Sequence, residues 1–416
     1  MRLHLIRLFL REYRKRKHKT ALITFAIFWG TLSILMLMSF GRGLTEAMRI
    51  SFKGLGDNLV IVFRGQTSLE FQGLPKGRRI LLYFEDVTLL QRLIPEIGRI
   101  SPETTNTHTV SYGGKETNRN VNGVYPDFGV MRSQFPDAGG RFLNDEDITN
   151  CRRVAFLGWT VARDLFGDKS PIGRTILIQR TPYTVVGVMK KKQQSSNYQG
   201  MDYETVYIPY STYALIDSQK HLDDIIIQPK TEADGPLVEQ RVKQILGRKY
   251  RFAAQDEYAL NIWNAIEDNQ TGRKIFLGIE IFLTLIGALT LLIAAVGVTN
   301  LMYAVVKERT REIGIKMALG AKRRHVVFQF FLETAMIFVK GTGIGILVAY
   351  DIVQLVRLIP VPYEDFGIQS YLCRPIFSAD ILVIFLLILG SLVFAAGIFP
   401  ALRASRQNPI EALRYE

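Results

Sequence analysis

Cysteine is nearly missing from this sequence: Cys151 and Cys373 are its two, and they lie far apart in the chain. That excludes a disulfide-stapled fold, and free thiols are the expectation for both. The five histidines, His4, His18, His108, His221 and His325, are scattered, with no pair at metal-ligand spacing. No Gly-x-Ser-x-Gly turn is present to hold a hydrolase nucleophile. Gly167 to Thr175 has a passing likeness to a phosphate loop, but the spacing is off by one and Arg174 stands where lysine is required. Acid pairs such as Asp145/Asp147 and Asp223/Asp224 read as solvated loop residues, not as an organised acid–base pair. No catalytic, cofactor-binding or metal-ligating residue is assigned. Negative charge is also short, with 38 Asp and Glu against 52 Lys and Arg and a net charge of +14. Such an excess could serve nucleic acid; the placement of the bases argues against it.

What the chain does have is long apolar runs. Residues 21–41, 275–306, 326–350 and 381–402 can each cross a bilayer, which needs about 20 mostly apolar residues. Arg2, Arg7, Arg11, Arg14, Lys15, Arg16, Lys17 and Lys19 precede the first run. Lys307, Arg309, Arg311, Lys316, Lys322, Arg323 and Arg324 fill the short stretch between the second and third, and Arg403, Arg406 and Arg414 follow the fourth. Lysine and arginine resist translocation, so both termini and residues 307–325 are expected in the cytoplasm. Residues 42–274 and the short loop 351–380 are then outside. The positive charge is a topology signal, and no nucleic-acid partner is expected.

Within residues 1–20, Leu3, Ile6, Leu10 and Tyr13 fall at helical spacing among basic residues, as in a segment lying along anionic membrane lipid. The first apolar run is too long for a signal peptide and lacks a small-x-small cleavage site, so it reads as an uncleaved anchor.

The large outer segment reads as mixed α and β, an α+β domain. Strands are expected over residues 58–63, 154–157, 175–179, 183–190, 205–209 and 224–228, and helices over 84–94, 160–166 and 236–246. Gly113-Gly114 and Gly139-Gly140 mark turns, and 193–200 reads as a polar, mobile loop. Residues 44–55 are expected to extend the first span as a helix. Leu260, Trp263 and Ile266 give 256–274 a helical spacing that leads into the second span. Two such helices would form stalks.

Two ionisable residues stand inside the third span, Glu333 and Lys340, and an intramembrane charge is a functional candidate by default. Glu333, near the inner end, can reach interfacial water or a neighbour, and Lys340 can face a protein contact. Gly341 and Gly345 form a small-xxx-small pattern that permits close helix approach.

The most informative stretch is the charged, helix-favouring one between the second and third spans. Glu308-Arg309-Thr310-Arg311-Glu312-Ile313-Gly314-Ile315, followed by Met317-Ala318-Leu319-Gly320-Ala321, resembles the cytoplasmic signature of the MacB/LolC/FtsX class of ABC transporter permeases. Pro400-Ala401-Leu402-Arg403-Ala404-Ser405 and Pro409-Ile410-Glu411-Ala412-Leu413-Arg414 resemble that family's terminus. Gly140-Arg141-Phe142-Leu143, Val154 to Gly158, Leu165-Phe166-Gly167, Pro171-Ile172-Gly173 and Tyr183 to Val188 are similar to its MacB-type outer domain.

The resemblance implies a plasma-membrane permease subunit with four spans, paired with a second copy or a paralogue. It places Glu308, Arg309, Thr310, Arg311, Glu312, Ile313, Gly314, Leu319 and Gly320 against a cytoplasmic ABC ATPase. ATP and Mg would be bound by that ATPase, which is expected as a separate chain because no Walker A sequence is present. Export or extrusion of a substrate is the implied activity, with a periplasmic adaptor as a further partner. The alternative within the same class is an FtsX-like switch that moves no substrate and controls an extracellular cell-wall hydrolase.

Overall fold

The computed structural model describes residues 17–192, 194, 197–319, 321–359 and 374–405. The basic leader up to residue 16, Gly320, Cys373 and the tail from 406 lie outside the described residues, as does the loop 360–373. The chain forms two compact units: Arg49–Arg273, and Met1–Met48 together with Lys274–Glu416.

The second of these is helical. Its helices are α1 (Lys17–Lys53), α8 (Ala265–Glu308), α9 (Thr310–Ala318), α10 (Arg323–Arg357) and α11 (Ala379–Ser405). Four of these, α1, α8, α10 and α11, are long and apolar enough to cross a membrane. Their shared core includes Ile27, Ile34, Leu291, Val298, Phe330, Phe338 and Phe385. Small residues set how closely they pack. A Cβ on Gly341 would meet Ile27 at 2.9 Å, and one on Gly345 would meet Thr31 at 2.7 Å, whereas Gly343 faces open space. The glycines four residues apart thus lie on one stripe of α10, where α1 comes in at near-backbone distance.

The other unit is a single ten-stranded sheet with helices against it. Its strands are β1 (Val60–Gln66), β2 (Arg79–Ile80), β3 (Ile97–Tyr112), β4 (Lys115–Val124), β5 (Val154–Leu157), β6 (Thr175–Ile178), β7 (Thr181–Val188), β8 (Val206–Pro209), β9 (Asp224–Pro229) and β10 (Leu260–Asn264). The order is β10-β1-β9-β3-β4-β8-β5-β7-β6, with β2 beside β1, and β6 also pairs with β3. That last pairing closes six strands, β3 to β6, into a ring around Val110, Ala155, Leu157, Ile176, Val185 and Val206. Strands β1 and β9 and the start of β3 pack with α2 (Phe84–Leu93) and α7 (Gly235–Tyr250) around Val62, Leu90, Ile225, Val238 and Val242. A third cluster, with Phe128, Phe156 and Tyr207 fully buried, includes α3 (Pro126–Met131) and α5 (Trp159–Phe166). Each such ring contributes about 1.5–3 kcal/mol by leaving water.

The longest strands are ones the hydropathy pattern does not announce. The β3–β4 hairpin turns at Gly113-Gly114, with φ of +58° and +83°, the doubly left-handed turn that suits strand twist. On one face its rungs are polar pairs: Thr105 donates to Asn122 at 2.6 Å, Thr107 to Asn120 at 2.9 Å and Thr109 to Asn118 at 3.0 Å. Alternation exists here, but in Thr and Asn rather than in apolar residues.

One expectation is corrected. Residues 256–264 are not helical: Asp256 closes a turn, and β10 follows before α8 begins at Ala265. The edge of β1 is the reason. It pairs antiparallel with β10 from Val60↔Asn264 to Arg64↔Leu260, and those backbone hydrogen bonds outweigh an apolar spacing that fits a helix equally well. Asp256 accepts from Ser68 N (2.7 Å), Ser68 Oγ (2.7 Å), Leu69 N (3.0 Å) and Tyr258 N (3.2 Å). Desolvation alone would raise its pKa, but these donors hold the carboxyl below the usual range.

Candidate functional site

Helix α9 is built from the charged stretch that follows the second apolar run. Arg309 caps it, breaking the line of α8 with φ −101° and ψ 8°, and the Thr310 hydroxyl bonds back to Lys307 O at 2.8 Å. The helix is short and two-sided. Ile313 is 4% exposed, Gly314 is buried, and Met317 packs on the core shared by the long helices. Ile315 and Leu319, one turn apart, are 45% and 83% exposed, and Arg311 beside them is exposed as well. The charged helix thus carries an exposed apolar pair.

Arg309 ties this helix to α10. Its Nη1 lies 3.2 Å from both Oε1 and Oε2 of Glu333, and Gln329 donates to Oε1 at 3.3 Å. Both side chains are largely covered, 11% and 15% exposed, which strengthens the attraction over that of an open surface pair. Glu333 therefore finds a neighbour, one of the alternatives its position allows. Lys340 lies exposed on α10. At the opposite end of the same helices Arg42 of α1 reaches Glu280 of α8 at 3.3 Å and Asp380 of α11 at 3.7 Å. Each end of this unit thus carries an arginine bound to carboxylates from neighbouring helices.

Of the other residues named from the sequence, Glu308 is exposed and Thr310 half-buried. Glu312 lies in α9, and its side chain, like the whole of Gly320, is outside the described residues. Sequence reasoning missed the bond between Arg309 and Glu333, which are 24 residues apart. It also passed over Ile315, whose exposure could have been read from its position on the face opposite Ile313 and Met317.

The ten-stranded unit holds its own cluster of charge. Arg132, at the C-terminus of α3, is 3% exposed and donates to Asp202 at 2.6 Å. Lys192 reaches the other oxygen of Asp202 at 2.6 Å. Burial works against all three charges. The two cations nonetheless hold Asp202 below the usual carboxylate range, and Asp202 keeps Arg132 charged. Lys192 is pushed down, chiefly by burial. The segment 193–200, read from sequence as a mobile loop, supplies part of this cluster: Gln194 is fully buried and its side chain accepts from Asp202 N at 3.1 Å. Asp224, paired in sequence reading with a solvated Asp223, is fully buried too, as is Asp147 inside a capping box.

Two family models match the chain. That for the MacB-like periplasmic core domain takes residues 20–245, and that for the FtsX-like permease C-terminal region takes residues 284–409. The chain belongs to the MacB-like permease family. Among its curated relatives is the macrolide export ATP-binding/permease protein MacB of Bdellovibrio bacteriovorus, 29% identical over 96% of this chain and 60% of the relative. The protein of the same name from Chlorobaculum tepidum is 30% identical over 96% of this chain and 59% of the relative. The chain thus spans about three fifths of the length of the curated relatives it matches. Among solved structures, the periplasmic region of MacB from Actinobacillus actinomycetemcomitans is similar, at 20% identity and TM-score 0.42 over 53% of this chain and 94% of that one. The extracellular domain of the ABC-type transporter YknZ gives 17% identity and TM-score 0.41 over 50% of this chain and all of that one. As a MacB-like permease with four apolar helices, the protein is a multi-pass membrane component of the ABC transporter class.

Proposed function

We propose that this permease converts ATP hydrolysis by a cytoplasmic ABC ATPase into movement of its outer domain, and that this movement expels a substrate. The reading sets α9 in the cytoplasm and the ten-stranded domain outside the inner membrane, with both chain termini inside, as the basic flanks of the spans require. ATP and Mg belong to the ATPase, and a second permease copy or a paralogue completes a dimer. A periplasmic adaptor and membrane lipid are the further partners.

The observation that carries this is the build of α9. Ile315 and Leu319 project from it, while Arg309 grips Glu333 on α10. A push on the projecting pair reaches two spans at once: α8 through the chain, and α10 through the ion pair. Helices α1 and α8 run on past the apolar stretches as stalks, and rigid helices transmit displacement with little loss. Charged interfacial residues such as Glu308, Arg311 and Glu312 would set the register of docking.

The reading is tested with Leu319→Asp and Ile315→Asp in the full chain, reconstituted with its ATPase. Loss of ATPase co-purification and of permease-stimulated turnover is expected. Normal co-purification and stimulation by both variants would end the docking role of α9. Substrate release, measured in parallel, separates an exporter from a switch that turns over ATP and moves nothing.

A further inference from the structure

The ten-stranded domain buries several acids, and two of them meet on the sheet. Glu103 of β3 and Asp224 of β9 are direct partners in the antiparallel register, 1% and 0% exposed. Side chains so placed have Cβ atoms about 5 Å apart. That brings the two carboxyl groups into contact range in a site shut off from water. Two carboxylates have only acceptors to offer, so such a contact needs a proton.

β4 and the chain at Tyr198-Gln199 supply partners to the pair, while β1 sets Phe63 opposite Asp224. From β4, Asn122 donates to Glu103 Oε1. Tyr198 donates its hydroxyl to Glu103 Oε2 at 2.6 Å, and Gln199 donates its amide to Asp224 Oδ2. Asp224 Oδ1 is buried with no donor among the described residues. Behind stand Arg132, Asp202 and Lys192, joined as described, with Tyr207 of β8 buried among them. Asp223 points to the opposite face of β9 and pairs with Arg64 at 3.0 Å, next to His221.

The charges do not balance if all are ionised. Three acids, Glu103, Asp224 and Asp202, face two bases, Arg132 and Lys192. A buried net charge is strongly unfavourable, and one retained proton removes it. Burial is the main force raising both Glu103 and Asp224; Arg132 opposes it and does not prevail, and for Asp224 the neighbouring Glu103 adds to the rise.

We propose that Glu103 and Asp224 share a single proton in the folded outer domain, and that this proton latches the chain at Tyr198-Gln199 onto the sheet. While it is held, the pair accepts both donors and carries one negative charge, which Arg132 and Lys192 offset together with that of Asp202. When it leaves, two adjoining carboxylates repel in a buried site and the latch opens. Raised acids contribute stability that is complete below the ordinary carboxylate range near pH 4 and is lost as pH rises through the raised values. The latch is therefore closed in mildly acidic surroundings and loosened in alkaline ones. This does not depend on the proposed transport reaction.

The test uses the full chain in lipid nanodiscs. Infrared spectra at pH 7 should show the carbonyl stretch of a protonated carboxyl that is missing from Asp224→Asn and fades in the wild type on raising the pH. In hydrogen exchange corrected for intrinsic rates, peptides covering residues 197–204 should open about tenfold more readily at pH 9.5 than at pH 6, because like charges at this separation repel strongly in a buried site. Peptides covering β5 serve as the internal reference. Asp224→Asn, or Glu103→Gln if the first fails to fold, should flatten that profile. The latch is refuted if the wild type shows no such band at pH 7. It is equally refuted if residues 197–204 follow the β5 reference at every pH, or if the neutral variants keep the wild-type profile.

Discussion

Arg309 and Glu333 hold α9 to α10, the third long helix, through one guanidinium nitrogen set 3.2 Å from each carboxylate oxygen. If α9 docks on an ATPase as proposed, the pair joins the docking segment to a helix packed among the spans, and it should matter more to coupling than to assembly. Glu333→Gln keeps the shape and removes the charge. We expect normal insertion and ATPase binding, with permease-stimulated turnover reduced about tenfold, as for loss of a partly buried charge-assisted bond. The reciprocal exchange, Arg309→Glu with Glu333→Arg, should restore part of it. Turnover in Glu333→Gln equal to wild type would remove the pair from the coupling path.

The approach of α1 to α10 depends on the missing side chains of Gly341 and Gly345, where a Cβ would lie 2.9 Å from Ile27 and 2.7 Å from Thr31. Gly345→Leu should force these helices apart and lower the yield of folded protein in detergent; overpacking of this kind costs about 1–3 kcal/mol or more. Gly343→Leu, on the open face of the same helix, should be tolerated. Size-exclusion profiles of the two variants provide the comparison, and equal behaviour would deny the close contact.

Asp202 is the sole carboxylate bonded to both Arg132 and Lys192 among the described residues, and it is 2% exposed. Asp202→Ala leaves two buried cations facing each other. The expected loss is about 3–5 kcal/mol, the usual cost of breaking a buried ion pair from one side. For a domain of this size that lowers the midpoint of thermal unfolding by roughly 10 °C. Tryptophan fluorescence reports it, since Trp159 and Trp263 lie in this unit. A midpoint within a degree or two of wild type would show that water already serves these charges.

Sidedness can be read with single cysteines after Cys151, which is exposed, and Cys373 have been replaced. Leu215, 56% exposed in the ten-stranded domain, and Leu319, 83% exposed at the C-cap of α9, are suitable positions. Leu215→Cys should label with a membrane-impermeant reagent in intact spheroplasts, and Leu319→Cys should label only after lysis. The reverse pattern would invert the topology.

What the sequence determined by itself is what depends on composition over many residues. The apolar runs around Ile34, Leu291, Phe338 and Phe385 are long because a bilayer is thick, and a solvent requirement of that kind is written in one dimension. The basic residues around Arg309 and Arg323 fixed the expected sidedness for a similarly local reason: each charge has its own cost of translocation. Short apolar strands such as Val154–Leu157, closed by Gly158, were legible too. The β3–β4 hairpin was not, because its outward face alternates Thr with Asn, and both residue types also suit loops. Only tertiary structure turned 260–264 into a strand, since the need came from the open edge of β1, about 200 residues away in the chain. Only tertiary structure, likewise, brought Glu103, Arg132, Asp202 and Asp224 together. Each reads alone as an ordinary polar residue. Burial then removes the water that would have kept their charges independent, and their ionisation becomes a property of the group.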